Sequence, residues 1–152
     1  MDEQIEYYYI KECTNLMPLH IAIINKLVNL VEILIEKGAN VNAETFYGYR
    51  PIHFAVYSGC FEMVSFLFKN GAKVDCDNNV PNVYVGQDDL IKYAAIQGNV
   101  KILKMLFEQC TYVDTTKALH NAIKGGHIEV VEEIILNWER PDPYILDSYD
   151  CA

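Results

Sequence analysis

Apolar residues between Leu19 and Ile35 recur at steps of three and four: Leu19, Ala22 and Ile23, then Leu27, Leu30, Val31, Leu34 and Ile35. Such spacing lines up one side of a 3.6-residue period and predicts two consecutive amphipathic helices. Pro18 suits a first helical turn, where a missing amide hydrogen costs nothing, and Gly38 suits the left-handed residue that closes a helix. Ala39 to Asn42 then read as a short extended stretch, and Tyr47 and Gly48 as turn residues, so a hairpin is expected before the next helix pair.

The pattern returns along the chain. Residues 17–44 superimpose on 50–77, with His20 on His53, Ala22 on Ala55 and Gly38 on Gly71, each pair 33 positions apart. A third copy spans 90–114, but Ala94 follows Ala55 by 39, which places an insertion, CDNNVPNVYVGQDD, before it. A fourth spans 118–138, where Ala122 follows Ala94 by only 28 and the preceding hairpin is shortened. One helix pair leaves both flanks apolar, and only stacking on its neighbours removes that surface from water.

With its period, its PLH-type starts at His20 and His53, its alanines and its GAxVN-like ends, the chain resembles the ankyrin repeat family over about Asn15 to Trp138. The resemblance implies an all-α solenoid of about four helix-turn-helix repeats linked by β-hairpin loops. Residues 1–14 then form an N-terminal cap or degenerate repeat, and 15–140 the repeat domain, with copies near 15–47, 48–86, 87–114 and 115–140. Residues 141–152, after Pro141, form a tail.

Several positions depart from the family pattern. Met17 and Arg50 replace the threonine whose hydroxyl usually meets the histidine, so His20 and His53 need other partners. Lys92 stands where the third copy should have histidine, and Cys110 and Trp138 stand where glycine is expected, so those helices should end differently, with Trp138 a candidate seal on the last repeat. The first copy is unusually apolar at Ile21, Ile23, Ile24 and Leu27, and the tyrosine-rich stretch from Ile5 to Ile10 is the expected cover.

Composition narrows the function. The 152 residues carry 12 Lys and Arg against 21 Asp and Glu, a net charge of −9 that disfavours nucleic acid and anionic membranes as partners. No apolar run is long enough to span a bilayer, and MDEQIEYYYI lacks the pattern of a secretion signal, which leads us to expect a soluble protein with a cytoplasmic or nuclear address. Five scattered cysteines without a CxxC pair indicate neither a disulfide framework nor a zinc clip.

Catalytic signals are weak. His20, His53 and His120 fall on repeat positions and His127 on the GHxEVV position, no HExxH, GxSxG or Walker loop occurs, and Glu129, Glu132 and Glu133 read as a solvated helix face. We therefore expect no enzyme, cofactor or metal. The resemblance implies a protein partner met by hairpin tips and the exposed side of the first helices. There the chain offers Asn42, Glu44, Phe46, Tyr47, Tyr49 and Arg50, followed by Tyr57; Phe54 is claimed equally by the core. Val83 and Tyr84 in the insertion are a second expected contact, weighed against folding back on their own repeat. Asn42 also resembles the asparagine that oxygen-dependent hydroxylases modify in ankyrin repeats.

Ten lysines to two arginines, with much Ile, Asn and Tyr, resemble the composition of viral ankyrin proteins, including short ones similar to IκB, the inhibitor of NF-κB. That likeness implies a modulator of host signalling with a Rel-family subunit as one candidate partner. A self-associating homodimer or a ubiquitin-pathway adaptor component is the alternative, although no F-box pattern follows the repeats.

Overall fold

Each copy of the repeat folds into a pair of short helices in a computed structural model, which describes residues 16–74, 87–110 and 115–138. The pairs are α1 (Pro18–Ile24) with α2 (Val28–Glu36), α3 (Pro51–Tyr57) with α4 (Phe61–Lys69), α5 (Gln87–Ile96) with α6 (Val100–Gln109), and α7 (Thr116–Gly125) with α8 (Ile128–Trp138). First helices stack in the order α1, α3, α5, α7, and second helices in the order α4, α6, α8. No strand occurs among the described residues. The result is the all-α solenoid that the repeat pattern predicts.

Local chemistry sets the helix ends. Pro18 and Pro51 occupy the first turns of α1 and α3. The residue before each is extended, and its amide hydrogen is donated to a histidine in the helix: Met17 N–H to His20 Nδ1 and Arg50 N–H to His53 Nδ1, both at 3.0 Å. The histidines thus do the work a glutamate does in a capping box, reaching back to the cap amide. At the far end of α2, Gly38 lies in the left-handed region with φ +89°, and the Ala39 amide donates to the Leu34 carbonyl. The same six-to-one bond closes α4 through Ala72 and Leu67. Cys110, without glycine, leaves α6 in extended geometry instead.

The turns inside three of the helix pairs use this device too, closing α1, α5 and α7 with bonds from Leu27, Asn99 and His127 to the carbonyls of Ala22, Ala94 and Ala122. The left-handed residue at the inner turns is Gly59, Gly98 or Gly126 in the later copies but Lys26, with φ +56°, in the first. A side chain there costs on the order of 1 kcal/mol, and the sequence pattern had not singled Lys26 out.

Alanines Ala22, Ala55, Ala94, Ala95 and Ala122 have essentially no exposed surface, which lets the first helices approach one another closely. Between the rows, Ile23, Met63, Leu67, Ile102, Leu106 and Ile134 form one continuous core. Polar side chains stitch the inner turns: Gln97 Nε2 donates to the Tyr57 carbonyl at 2.7 Å, Asn99 Nδ2 to Gly59 at 3.1 Å, and His127 Nε2 lies 3.0 Å from the Ile96 carbonyl.

The outer side of the first repeat is apolar, as its sequence leads us to expect. Leu27, Leu30 and Ile33 are exposed there. They point to the flank on which no described helix stacks, so only Val31 of α2 is fully buried. The tyrosine-rich stretch expected to cover this flank, the insertion up to Gly86 and the tail after Trp138 lie outside the described residues, while the last three residues of the insertion, Gln87 to Asp89, begin α5.

Candidate functional site

The first hairpin is shaped by one threonine. Thr45 donates its amide to the Tyr49 carbonyl, accepts the Gly48 amide at its own carbonyl, and accepts the Tyr49 amide at its hydroxyl. Buried among these bonds, it forces Phe46 and Tyr47 to the tip of a tight turn. Phe46 is 75% exposed and meets the Tyr47 ring edge-on at 5.3 Å. So large an exposed aromatic surface on a rigid turn is poorly suited to water and well suited to a partner.

Below the tip, Tyr49 is half-buried, its ring 5.8 Å from His53, 6.0 Å from Phe54 and 6.4 Å from Tyr57. Tyr57 continues the row, meeting Tyr93 of the next first helix at 4.4 Å between ring centres. Lys92 places its ammonium 5.1 Å from the Tyr93 ring. Aromatic surface therefore runs from the hairpin along the first helices of two repeats.

The expected site residues fall into three groups. Phe46, Tyr47, Tyr49 and Tyr57 are brought together on this surface. Glu44 and Arg50 are joined to each other, Arg50 Nε and Nη2 both donating to Glu44 Oε1 at 2.9 and 2.7 Å, and this pair braces the base of the hairpin. Asn42 faces the next hairpin: its Nδ2 donates to the Gly71 carbonyl at 2.9 Å and its Oδ1 accepts the Lys73 amide at 2.8 Å. Phe54 belongs to the core, where it packs edge-on against His20. Val83 and Tyr84 lie outside the described residues.

Tyr93 and Ile96 were not singled out from sequence. The signal was present, since Tyr93 follows Lys92 as Phe54 follows His53 and Ala94 sets the register, but helix contacts were sought only on the second copy.

His20 is fully buried, with Nδ1 accepting from Met17 and Nε2 donating to the Ala43 carbonyl at 3.0 Å. Burial pushes its pKa down, against a smaller upward pull from the Ala43 bond. It is a structural tie between helix and hairpin. Among the described residues no three His, Cys, Asp or Glu side chains gather as a metal site would require, and no helix is long and apolar enough to cross a membrane. The surface provides ring faces, aliphatic area and a few hydrogen-bonding edges, which is chemistry for recognition.

Comparison with known families agrees with the architecture. A family profile described as ankyrin repeats (3 copies) matches residues 3–78, half of the chain, and one described as ankyrin repeats (many copies) matches residues 90–132. No curated protein matches the chain. By its stacked helix pairs, its histidine-capped starts and these two matches, the chain belongs to the ankyrin repeat family.

Proposed function

We propose that this chain is a noncatalytic module that grips a partner protein with the tip of its first hairpin and the exposed side of its first helices. Ankyrin repeats are protein–protein interaction modules and typically noncatalytic. The observation that carries the assignment to this surface is the 75% exposed Phe46, held on a hydrogen-bonded turn at the head of the Tyr49, Tyr57 and Tyr93 row. Such preorganised aromatics give large contact area for little ordering cost. Capture of a partner from cell lysate should weaken strongly for Phe46→Ala/Tyr47→Ala while far-UV circular dichroism stays unchanged. Equal capture by both proteins would reject this surface.

A viral modulator of host signalling is the more specific reading, supported by the lysine-rich, arginine-poor composition. In that setting the module occludes a signalling protein in the cytoplasm or nucleus, and a Rel-family subunit is the first partner to try. A pulldown from stimulated cells that recovers none would remove that partner. Asn42 as a hydroxylation site has a direct test in intact mass after incubation with an asparaginyl hydroxylase; no gain of one oxygen would dismiss it.

Self-association is the second reading, favoured by the exposed Leu27, Leu30 and Ile33 on the first repeat. Light scattering over a range of concentrations decides it, a constant mass near 17.4 kDa discarding the dimer.

A further inference from the structure

The last repeat exposes what the earlier ones bury. The residue after the buried alanine of each first helix is Ile23, Val56, Ala95 and Ile123 in turn. Ile23, Val56 and Ala95 have no exposed surface, and each lies on a helix with another first helix stacked after it. Ile123 lies on α7, beyond which no described first helix follows, and is 61% exposed.

The second helices repeat the contrast. Nine places after the left-handed residue of the inner turn, Ile35, Phe68 and Phe107 pack on the core, whereas Ile135 is 48% exposed. At the next place Glu36, Lys69 and Glu108 put a charge into water, but α8 has Leu136, 67% exposed. A stack that ended there in water would carry a polar outer face. This end is apolar and calls for a cover.

We propose that the chain covers its own end, with Tyr144, Ile145 and Leu146 packed against Ile123 and Ile135 where the first helix of another repeat would stack. The reach follows from the preceding copy: six residues carry the chain from the end of α6 at Gln109 to the start of α7 at Thr116. Six residues counted on from Trp138 lead to Ile145, the middle of the longest apolar run after α8. Pro141 and Pro143 oppose a simple continuation of α8, which favours a return of that run along the end of the stack. A second copy is the poorer occupant. Stacking end to end would bring Glu32 and Glu36 of α2 towards Glu129 and Glu132 of α8, whereas Tyr144 to Leu146 is uncharged. The proposal is independent of which surface meets a partner protein.

The test is hydrogen exchange on the full chain and on Ile145→Gln/Leu146→Gln, at two protein concentrations with the mass followed by light scattering. Amides of α7 and α8 should exchange on the order of tenfold faster in the variant, while those of α1 to α4 stay unchanged and report an intact fold. Ile123→Gln should have a similar effect, and adding it to the tail variant should change little more, because both remove one contact. Unchanged exchange in the tail variant would overturn the proposal, as would effects of the two sites that simply add. Protection of α7 that grows with concentration as the mass doubles would also overturn it, and would place a second copy on this end.

Discussion

The imidazole of His127 fills the space in which a side chain on Gly98 would have to lie. A Cβ at Gly98 would approach His127 Nδ1 to 2.5 Å, and the residue holds φ +68°. His127 is fixed there by its 3.0 Å contact with the Ile96 carbonyl, so the third and fourth repeats meet through a histidine that only glycine can accommodate.

Gly98→Ala should therefore destabilise the fold by about 2 to 4 kcal/mol, combining left-handed strain with overpacking. Gly38→Ala, also at positive φ but with nothing within 4 Å of the added carbon, should cost only about 1 kcal/mol. Urea denaturation of the two variants separates the terms; equal losses would mean that the His127 contact carries no strain.

Lys26 suggests the opposite experiment. It takes the left-handed place that glycine fills in the other three copies, so Lys26→Gly should stabilise the protein by up to about 1 kcal/mol. A lower denaturation midpoint would show that the first inner turn relaxes at no cost.

Asn42 joins the first hairpin to the second through Gly71 and Lys73. Removing the amide in Asn42→Ala should cost about 1 to 2 kcal/mol, while Asn42→Asp keeps the acceptor but sets a carboxylate against the Gly71 carbonyl. Hydrogen exchange should then show the Lys73 amide exchanging faster in Asn42→Ala. Unchanged protection would assign that bond no weight.

These cases also show what was legible in the sequence. Helix pairs and their boundaries follow from local signals, because Pro18, His20, Ala22 and Gly38 each act on neighbours a few positions away. Leu27 was legible as part of an apolar outer side, while the stretch expected to cover it lies outside the described residues. Glu44 and Arg50 were read as contacts for a partner; that the turn between them also joins the two in an ion pair depends on hairpin geometry that the sequence does not spell out. Lys26 was missed for a related reason, since a left-handed lysine has no compositional mark and emerges only from alignment with the glycines of later turns.

His20 should make the fold sensitive to acid. Its folded-state pKa lies below the ordinary value of about 6.5, so the unfolded chain binds the proton more readily. Stability from this residue is fully present above that pH and is lost as pH falls through the lowered folded value. Protonating Nδ1 would also oppose the Met17 amide it accepts. The denaturation midpoint should fall between neutral pH and pH of about 5 more steeply for the unaltered chain than for His20→Gln; parallel curves would remove His20 as the cause.

The account turns on which face meets the partner, and hydrogen–deuterium exchange on the chain with and without its captured partner reads that face directly. Protection should appear from Thr45 to Ser58 and from Leu90 to Gln97, with α4, α6 and α8 unchanged. Protection confined to those second helices would contradict the account.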